Sequence, residues 1–283
     1  MQIVRDVASL RSAVAAFRRD GGSVALVPTM GALHAGHMAL IDEARRRATH
    51  VAASIFVNPT QFGANEDLAG YPRRETEDAG MLEQTGCALL WAPTVEVMYP
   101  EGFATNVSVA GVSEGLCGAV RPGHFDGVAT VVAKLFSQVQ PDIAVFGEKD
   151  YQQLAVIRRM AADLDLPVEI VGVPTQRAPD GLALSSRNSY LSPAEREAAV
   201  ALPRALHAAA EVIRARGEVA AALAQARARL EAAGFEPEYV ELRDADSLAP
   251  VHRLERPARL LAAARLGRTR LIDNVPVLAD GDT

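Results

Sequence analysis

Alternation constrains this chain more than any other feature. Five short apolar runs, residues 23–27, 51–57, 88–91, 143–146 and 168–173, are separated by segments whose apolar residues recur at helical spacing, residues 7–19, 38–48, 74–84, 125–139 and 151–163. A sheet covered on both faces needs near-continuous apolar strands, and amphipathic crossover helices supply the cover. The alternation therefore predicts an α/β fold, a doubly wound, Rossmann-like parallel sheet, over residues 1–174. Ligands of such folds bind outside the carboxyl ends of the strands, so the residues that follow each run hold the functional information. At 283 residues the chain can bury a core without disulfide support.

The pattern changes at about Pro174. Residues 176–188 are turn-rich and polar. Ser192-Pro-Ala-Glu195 then has the form of a capping box with proline at the first helical position, and opens a long Ala-rich helix. A second helix is expected over 218–233, followed by strands over 238–243, 259–265 and 269–274. Helices followed by strands predict a small α+β domain over residues 175–283, joined to the first by a short hinge.

Charge and cysteine usage exclude several function classes. The net charge is −6 and there is no long basic run, so nothing points to nucleic acid. The arginine-rich segments 45–47 and 214–229 alternate with Ala, Glu and Leu as solvated helix faces do. Cys87 and Cys117 form neither a disulfide framework nor a metal spacing. No apolar run approaches a membrane span, and the first residues lack a signal-peptide pattern, so a cytoplasmic protein is expected.

After the run 23–27 stands PTMGALHAGH, residues 28–37. Gly31 and Gly36 permit a tight turn and close backbone approach. A helix starting near His37 would aim free N–H groups and a positive dipole end into the cleft, and His34 and His37 would add donors for an anionic ligand. Two histidines without a third partner argue against zinc, and no metal site is assigned. After the run 51–57, Asn58 and Gln61 suit the hydroxyls and carboxylate of a small polar ligand, or a simple Asn-Pro turn. After the run 143–146, Lys149 offers a compact cation for phosphate, while Asp150 and Gln153 fit a capping box. Arg121-Pro-Gly-His124 opens another helix, or is a simple turn and cap, and Leu184-Ser-Ser-Arg187-Asn188 is an ordinary polar loop or places two hydroxyls and a guanidinium where a closing domain could clamp phosphates.

Together these strings resemble a known family. His34-Ala-Gly-His37 is similar to the HxGH signature of the nucleotidyltransferase superfamily, and Leu184-Ser-Ser-Arg187 stands in the place of the KMSKS loop. PTMGALHAGH, FVNPTQF, RPGHFDGV, FGEKDYQQL and GLALSSRNSYLS, with TRLIDN near the end, resemble the pantothenate synthetase (pantoate–β-alanine ligase) family over nearly the whole chain. The resemblance implies a ligase that joins pantoate to β-alanine with ATP, through a pantoyl adenylate, releasing AMP and pyrophosphate. It implies ATP binding by Met30, Gly31, Ala32, Leu33, His34, Ala35, Gly36 and His37, by Gly147, Glu148, Lys149 and Asp150, by Gln176, and by Leu184, Ser185, Ser186 and Arg187, with Mg²⁺ accompanying the nucleotide. His34, His37, Lys149 and Arg187 would act in catalysis, His37 as proton donor. Gln61 and Gln153 would hold pantoate, with Gln61 also near β-alanine and Asn58, Arg121 and His124 in support. Arginine at 187 departs from the lysine of KMSKS, and it keeps its charge and can grip phosphate bidentately. The family also implies a homodimer. A nucleotidyltransferase that leaves the nucleotide in its product, and a nucleotide-binding regulatory module without chemistry, are the competing readings.

Overall fold

The computed structural model describes residues 1–19, 21–63, 66 and 68–278. Among these residues the alternation folds as six strands, β1 (Gln2–Val4), β2 (Val24–Thr29), β3 (His50–Ile55), β4 (Leu89–Trp91), β5 (Ile143–Gly147) and β6 (Glu169–Val173), all parallel and ordered β1-β4-β3-β2-β5-β6. The helices of this region are α1 (Val7–Arg18), α2 (Ala35–Arg47), α3 (Glu75–Gln84), the short α4 (Val95–Met98) and α5 (Leu116–Val120), α6 (His124–Val139) and α7 (Tyr151–Asp163). Strand residues alternate between the two faces. Val24 and Leu26 of β2 join the core under α1, α6 and α7, whereas Ala25 and Val27 join the core under α2 and α3. β1 was not expected. Its three residues are too short for a periodic signal, and Gln2 and Ile3 are exposed at the sheet edge.

The expected long Ala-rich helix is broken into α8 (Pro193–Ala198) and α9 (Ala201–Arg214). Pro203 explains the break. It has no N–H to give the carbonyl of Ala199, and its ring would crowd that carbonyl in a continuous helix. The capping box forms as expected, Ser192 and Glu195 exchanging side-chain and backbone bonds. α10 (Val219–Ala232) follows, then the antiparallel strands β7 (Phe235–Asp244), β8 (Ala258–Leu266) and β9 (Thr269–Val277), in the order β7-β8-β9. This small sheet is covered on both faces. Leu260, Ala262 and Ala264 pack with α9 and α10, while Leu261 and Ala263 enter the core of the parallel-sheet region. Among the described residues no helix is long and apolar enough to cross a membrane.

Candidate active site

The chain leaves β2 toward β3 and β4, and returns to the other side of β2 for β5 and β6. That reversal opens a crevice at the carboxyl ends of β2 and β5. A cavity of about 220 Å³ lies there. Met30, His34, Gly36, His37, Asn58, Gln61, Gly147, Lys149, Asp150 and Gln153 line it from the parallel-sheet side, and Gln176, Leu184, Ser185, Ser186 and Arg187 from the segment that follows β6. A larger cavity of about 560 Å³ shares Lys149, Asp150, Ser185 and Arg187 and continues toward Arg265 and Arg268.

The start of α2, after β2, caps itself. α2 begins at Ala35 rather than near His37, and His34 is its N-cap. The Nδ1 atom of His34 accepts the Gly36 N–H at 3.1 Å, and the Nδ1 atom of His37 accepts the His34 N–H at 3.2 Å. Both rings therefore act as the side chains of a capping box, a role usually filled by Ser or Asp and Glu. With both Nδ1 lone pairs occupied, the neutral rings carry their protons on Nε2. The rings stand 4.2 Å apart. Burial, with Lys149 adding to it, lowers the His34 pKa to about 4. Burial and the neighbouring His34 lower that of His37 to about 3. Two neutral Nε2–H donors result. Gly36 serves them through space rather than backbone freedom, because a Cβ there would stand 2.8 Å from the His34 ring. Gly31 does need its freedom, at φ +85°.

Gly31, Ala32, Leu33, Ala35 and Glu148 do not line the smaller cavity. The first four shape the turn instead. Asp78, buried on α3, accepts the N–H groups of Ala32 and Leu33, each at 2.8 Å. No local pattern announces Asp78, because the turn it holds lies 46 residues away.

Gln61 follows β3 in a single 3₁₀ turn capped by Asn58, whose Oδ1 accepts the Thr60 N–H. Asn58 is 1% exposed and its polar atoms are consumed. Its amide donates to Gln61 Oε1 and to Gly127 O, both at 3.1 Å, and its oxygen accepts from Tyr99. Asn58 thus orients Gln61. Arg121 and His124 stand behind the same turn, outside the smaller cavity. The Arg121 guanidinium donates to His124 Nε2 at 3.0 Å, so His124 Nδ1–H donates to the Gln61 carbonyl at 2.8 Å. Burial and Arg121 lower the His124 pKa to about 4. Arg121 in turn is paired with Glu66. Gly127 lets α6 approach closely, since a Cβ there would stand 2.4 Å from Thr60 O.

The turn after β5 is a 3₁₀ turn, Glu148–Asp150, that runs directly into α7. The capping box expected of Asp150 and Gln153 does not form, because Asp150 makes no side-chain cap bond. The helix is entered through a backbone turn, which leaves both side chains to the cavity wall. Lys149 Nζ lies 3.9 Å from the Asp150 carboxylate. Across the cavity, Ser185 Oγ accepts the Arg187 N–H. The Gln176 side-chain amide donates back to Pro174 O, and the Gln176 backbone carbonyl accepts the Leu184 N–H. Tyr71, which the sequence did not single out, lines this wall with its ring 5.7 Å from the Arg187 guanidinium. Among the described residues no three His, Cys, Asp or Glu side chains cluster as a metal site.

A sequence model of the family Pantoate-beta-alanine ligase matches residues 2–276. The chain belongs to that family. A pantothenate synthetase of Rhizorhabdus wittichii is 67% identical over 278 residues, covering 98% of this chain and 99% of that one. The crystal structure of pantothenate synthetase from Thermus thermophilus superposes with a TM-score of 0.93 at 52% identity, over 98% of this chain and 100% of that one. The pantoate–β-alanine ligase of Francisella tularensis, solved with β-γ ATP and β-alanine, has a TM-score of 0.82 at 32% identity, over 97% of each chain. This chain is a ligase, and the bond it makes is the amide between pantoate and β-alanine.

Proposed function

We propose that the ligase activates pantoate on ATP in the cavity at the ends of β2 and β5. The pantoate carboxylate attacks the α-phosphorus. The bond to the bridging oxygen of pyrophosphate breaks, pyrophosphate leaves, and a pantoyl adenylate remains. The neutral amine of β-alanine then attacks the acyl carbon, AMP leaves with the bonding electrons, and the amine proton passes to solvent. Activation is needed because a carboxylate offers an amine no adequate leaving group.

The first step brings two anions together. Unit charges about 4 Å apart repel by about 4 kcal/mol at an effective dielectric near 20. Oriented donors and cations offset this where charge develops. The observation that carries the reading is the pair of neutral histidines, whose Nδ1 atoms are consumed by the helix they cap and whose Nε2–H groups are left for phosphate oxygens. The proton donation expected of His37 becomes hydrogen-bond donation from an uncharged ring. Lys149 and Arg187 supply positive charge from opposite walls of the cavity. Gln61 and Gln153 bind pantoate, with Asn58, Arg121 and His124 holding Gln61 in place. Asp150 places a carboxylate on this wall. It would face Mg²⁺ brought in on the nucleotide, and the ion would help neutralise the triphosphate charge. Residues 175–283 act as the part that carries the 184–187 loop over the nucleotide, and the working unit is a cytoplasmic homodimer, for which sedimentation as a monomer would be the contrary result.

The nucleotide complex of the Francisella relative supports this reading. The test is exchange of labelled pyrophosphate into ATP, with pantoate present and β-alanine absent. Exchange is expected. Its absence, or a product that keeps AMP after β-alanine is added, would favour the other chemistries.

A further inference from the structure

The dipeptide Asp273-Asn274 lies inside β9, and both residues are 2% exposed. Successive strand residues point to opposite faces, so neighbours in sequence can reach different parts of the molecule. Asn274 donates through Nδ2 to the carbonyls of Glu148 and Lys149, each at 2.9 Å. Its Oδ1 accepts from Arg259 of β8 at 3.2 Å. Arg259 also pairs with Glu148 at 2.9 Å and lies 4.0 Å from the centre of the Tyr151 ring. Asp273 reaches the other way. Its two oxygens take the Arg177 guanidinium at 2.7 and 2.9 Å. Arg177 also donates to Gly181 O and bridges to Ala183, at the base of the loop that carries Ser185, Ser186 and Arg187.

Polar groups buried this deeply are costly unless fully paired, and apolar side chains of similar volume often pack as stably. These bonds fall on two segments that face the cavity from opposite walls. The turn after β5 has no side-chain cap of its own. We infer that Asp273 and Asn274 are positioning residues, one dipeptide that sets the height of the Lys149 turn and of the Arg187 loop against each other across the nucleotide. The inference rests on the proposed roles of Lys149 and Arg187. A displacement of about 1 Å at a reacting centre is enough to cost on the order of 10²-fold in rate.

The test is a double-mutant cycle on single-turnover formation of pantoyl adenylate, using wild type, Asn274→Asp, Lys149→Ala and the double variant. Asp is isosteric and keeps the acceptor toward Arg259, but offers oxygen to two carbonyls that need a donor. Asn274→Asp alone is expected to slow adenylate formation about 10- to 100-fold, with the pantoate KM and the capture of supplied pantoyl adenylate within about threefold. In the Lys149→Ala background it should cost less than about threefold, because contacting residues in one pathway are not additive. An equal loss in both backgrounds, or a loss shared by the capture step, would make Asn274 merely structural and overturn the inference. If Lys149→Ala itself leaves adenylate formation within about twofold, the site assignment fails and the inference with it. Should Asn274→Asp not fold by circular dichroism, Asp273→Asn with Arg187→Ala carries the same cycle under the same criteria.

Discussion

The turns after β2 and β5 face the same cavity from adjacent strands, yet the helix after the first is capped by its own residues and the second takes its side-chain bonds from the single residue Asn274, 126 and 125 positions from Glu148 and Lys149. At the β2 end, His34 and His37 close the first turn of α2 within four residues. At the β5 end, neither Gly147 nor Asp150 makes a side-chain cap bond, and Asn274 holds the backbone carbonyls instead. The difference teaches that groups expected to share one ligand need not be ordered by the same means. The locally capped first turn of α2 is set as soon as that helix forms, although the Ala32–Leu33 backbone before it still takes two bonds from Asp78. A turn held by a distant sheet is placed only when both regions are assembled, and it moves when they move.

Removing the histidines should produce the largest effect. His34→Ala and His37→Ala should each slow adenylate formation about 10²–10³-fold, the usual cost of losing one donor where charge develops. Each should also lose about 0.5–2 kcal/mol of stability with its cap. His34→Asn separates the two roles. Asparagine is a good cap, so chemical denaturation should show stability regained while single-turnover kinetics show the rate still low. A His34→Asn enzyme as fast as wild type would mean that the ring acts only as a cap.

The turn after β3 offers an intermediate case, capped locally by Asn58 and pressed from behind by α6. Gly127→Ala would drive a methyl group into Thr60 O and the Gln61 N–H, at 2.4 and 2.8 Å. Overpacking of this kind costs about 1–3 kcal/mol. The pantoate KM should rise about 5- to 100-fold, as in Gln61→Ala, while the ATP KM changes little. An effect confined to ATP would detach Gln61 from the pantoate end of the site.

Acid should distinguish the self-capped turn from the amide-held one. His34, His37 and His124 have folded pKa values of about 4, 3 and 4 against an ordinary 6.5. Below pH 6.5 the unfolded chain takes up protons that the folded chain refuses, so stability is complete above that pH and falls as pH drops toward 4. Each such histidine contributes a slope of about 1.4 kcal/mol per pH unit. Urea titrations at pH 7.5, 6 and 5 should show this decline, and His34→Asn should remove one histidine's share. The Asn274 bonds do not titrate, so Asn274→Ala should leave the slope unchanged.

The smallest expected effect concerns a cap that is absent. Asp150→Asn should leave stability within about 0.5 kcal/mol, the ordinary range for a side chain outside any cap. Ser192→Ala, in the capping box that does form, should cost about 1 kcal/mol. Equal losses in thermal unfolding would show that the turn after β5 has a local cap after all.

Much of this was legible because it is local. The run 23–27 and the helix after it, the Ser192–Glu195 box and the strand-length runs near the end each depend on residues within a few positions of one another. The elements missed or misdrawn have physical causes of their own. β1 is too short to show a period, Pro203 breaks a helix whose composition is otherwise continuous, and Asp150 resembles a cap that a preceding 3₁₀ turn makes unnecessary. Among the site residues, His34, His37, Gln61, Lys149, Gln153 and Arg187 are brought to one cavity. Arg121 and His124 are placed behind Gln61, and Asn58 spends its polar atoms on that turn.

By itself the sequence determined the alternation of strand and helix, the chemical groups that follow β2, β3 and β5, and the Ser192–Glu195 capping box, because side-chain period, turn chemistry and capping act over distances of a few residues. Only the tertiary structure decided which strand ends are neighbours. It also decided that Asp78 braces the Ala32–Leu33 backbone, that Gly127 admits the Gln61 turn, and that Asp273 and Asn274 reach both walls of the cavity. These contacts join positions 45 to 126 residues apart, and a buried hydrogen bond at that separation is specified by packing, which no local pattern in the chain records.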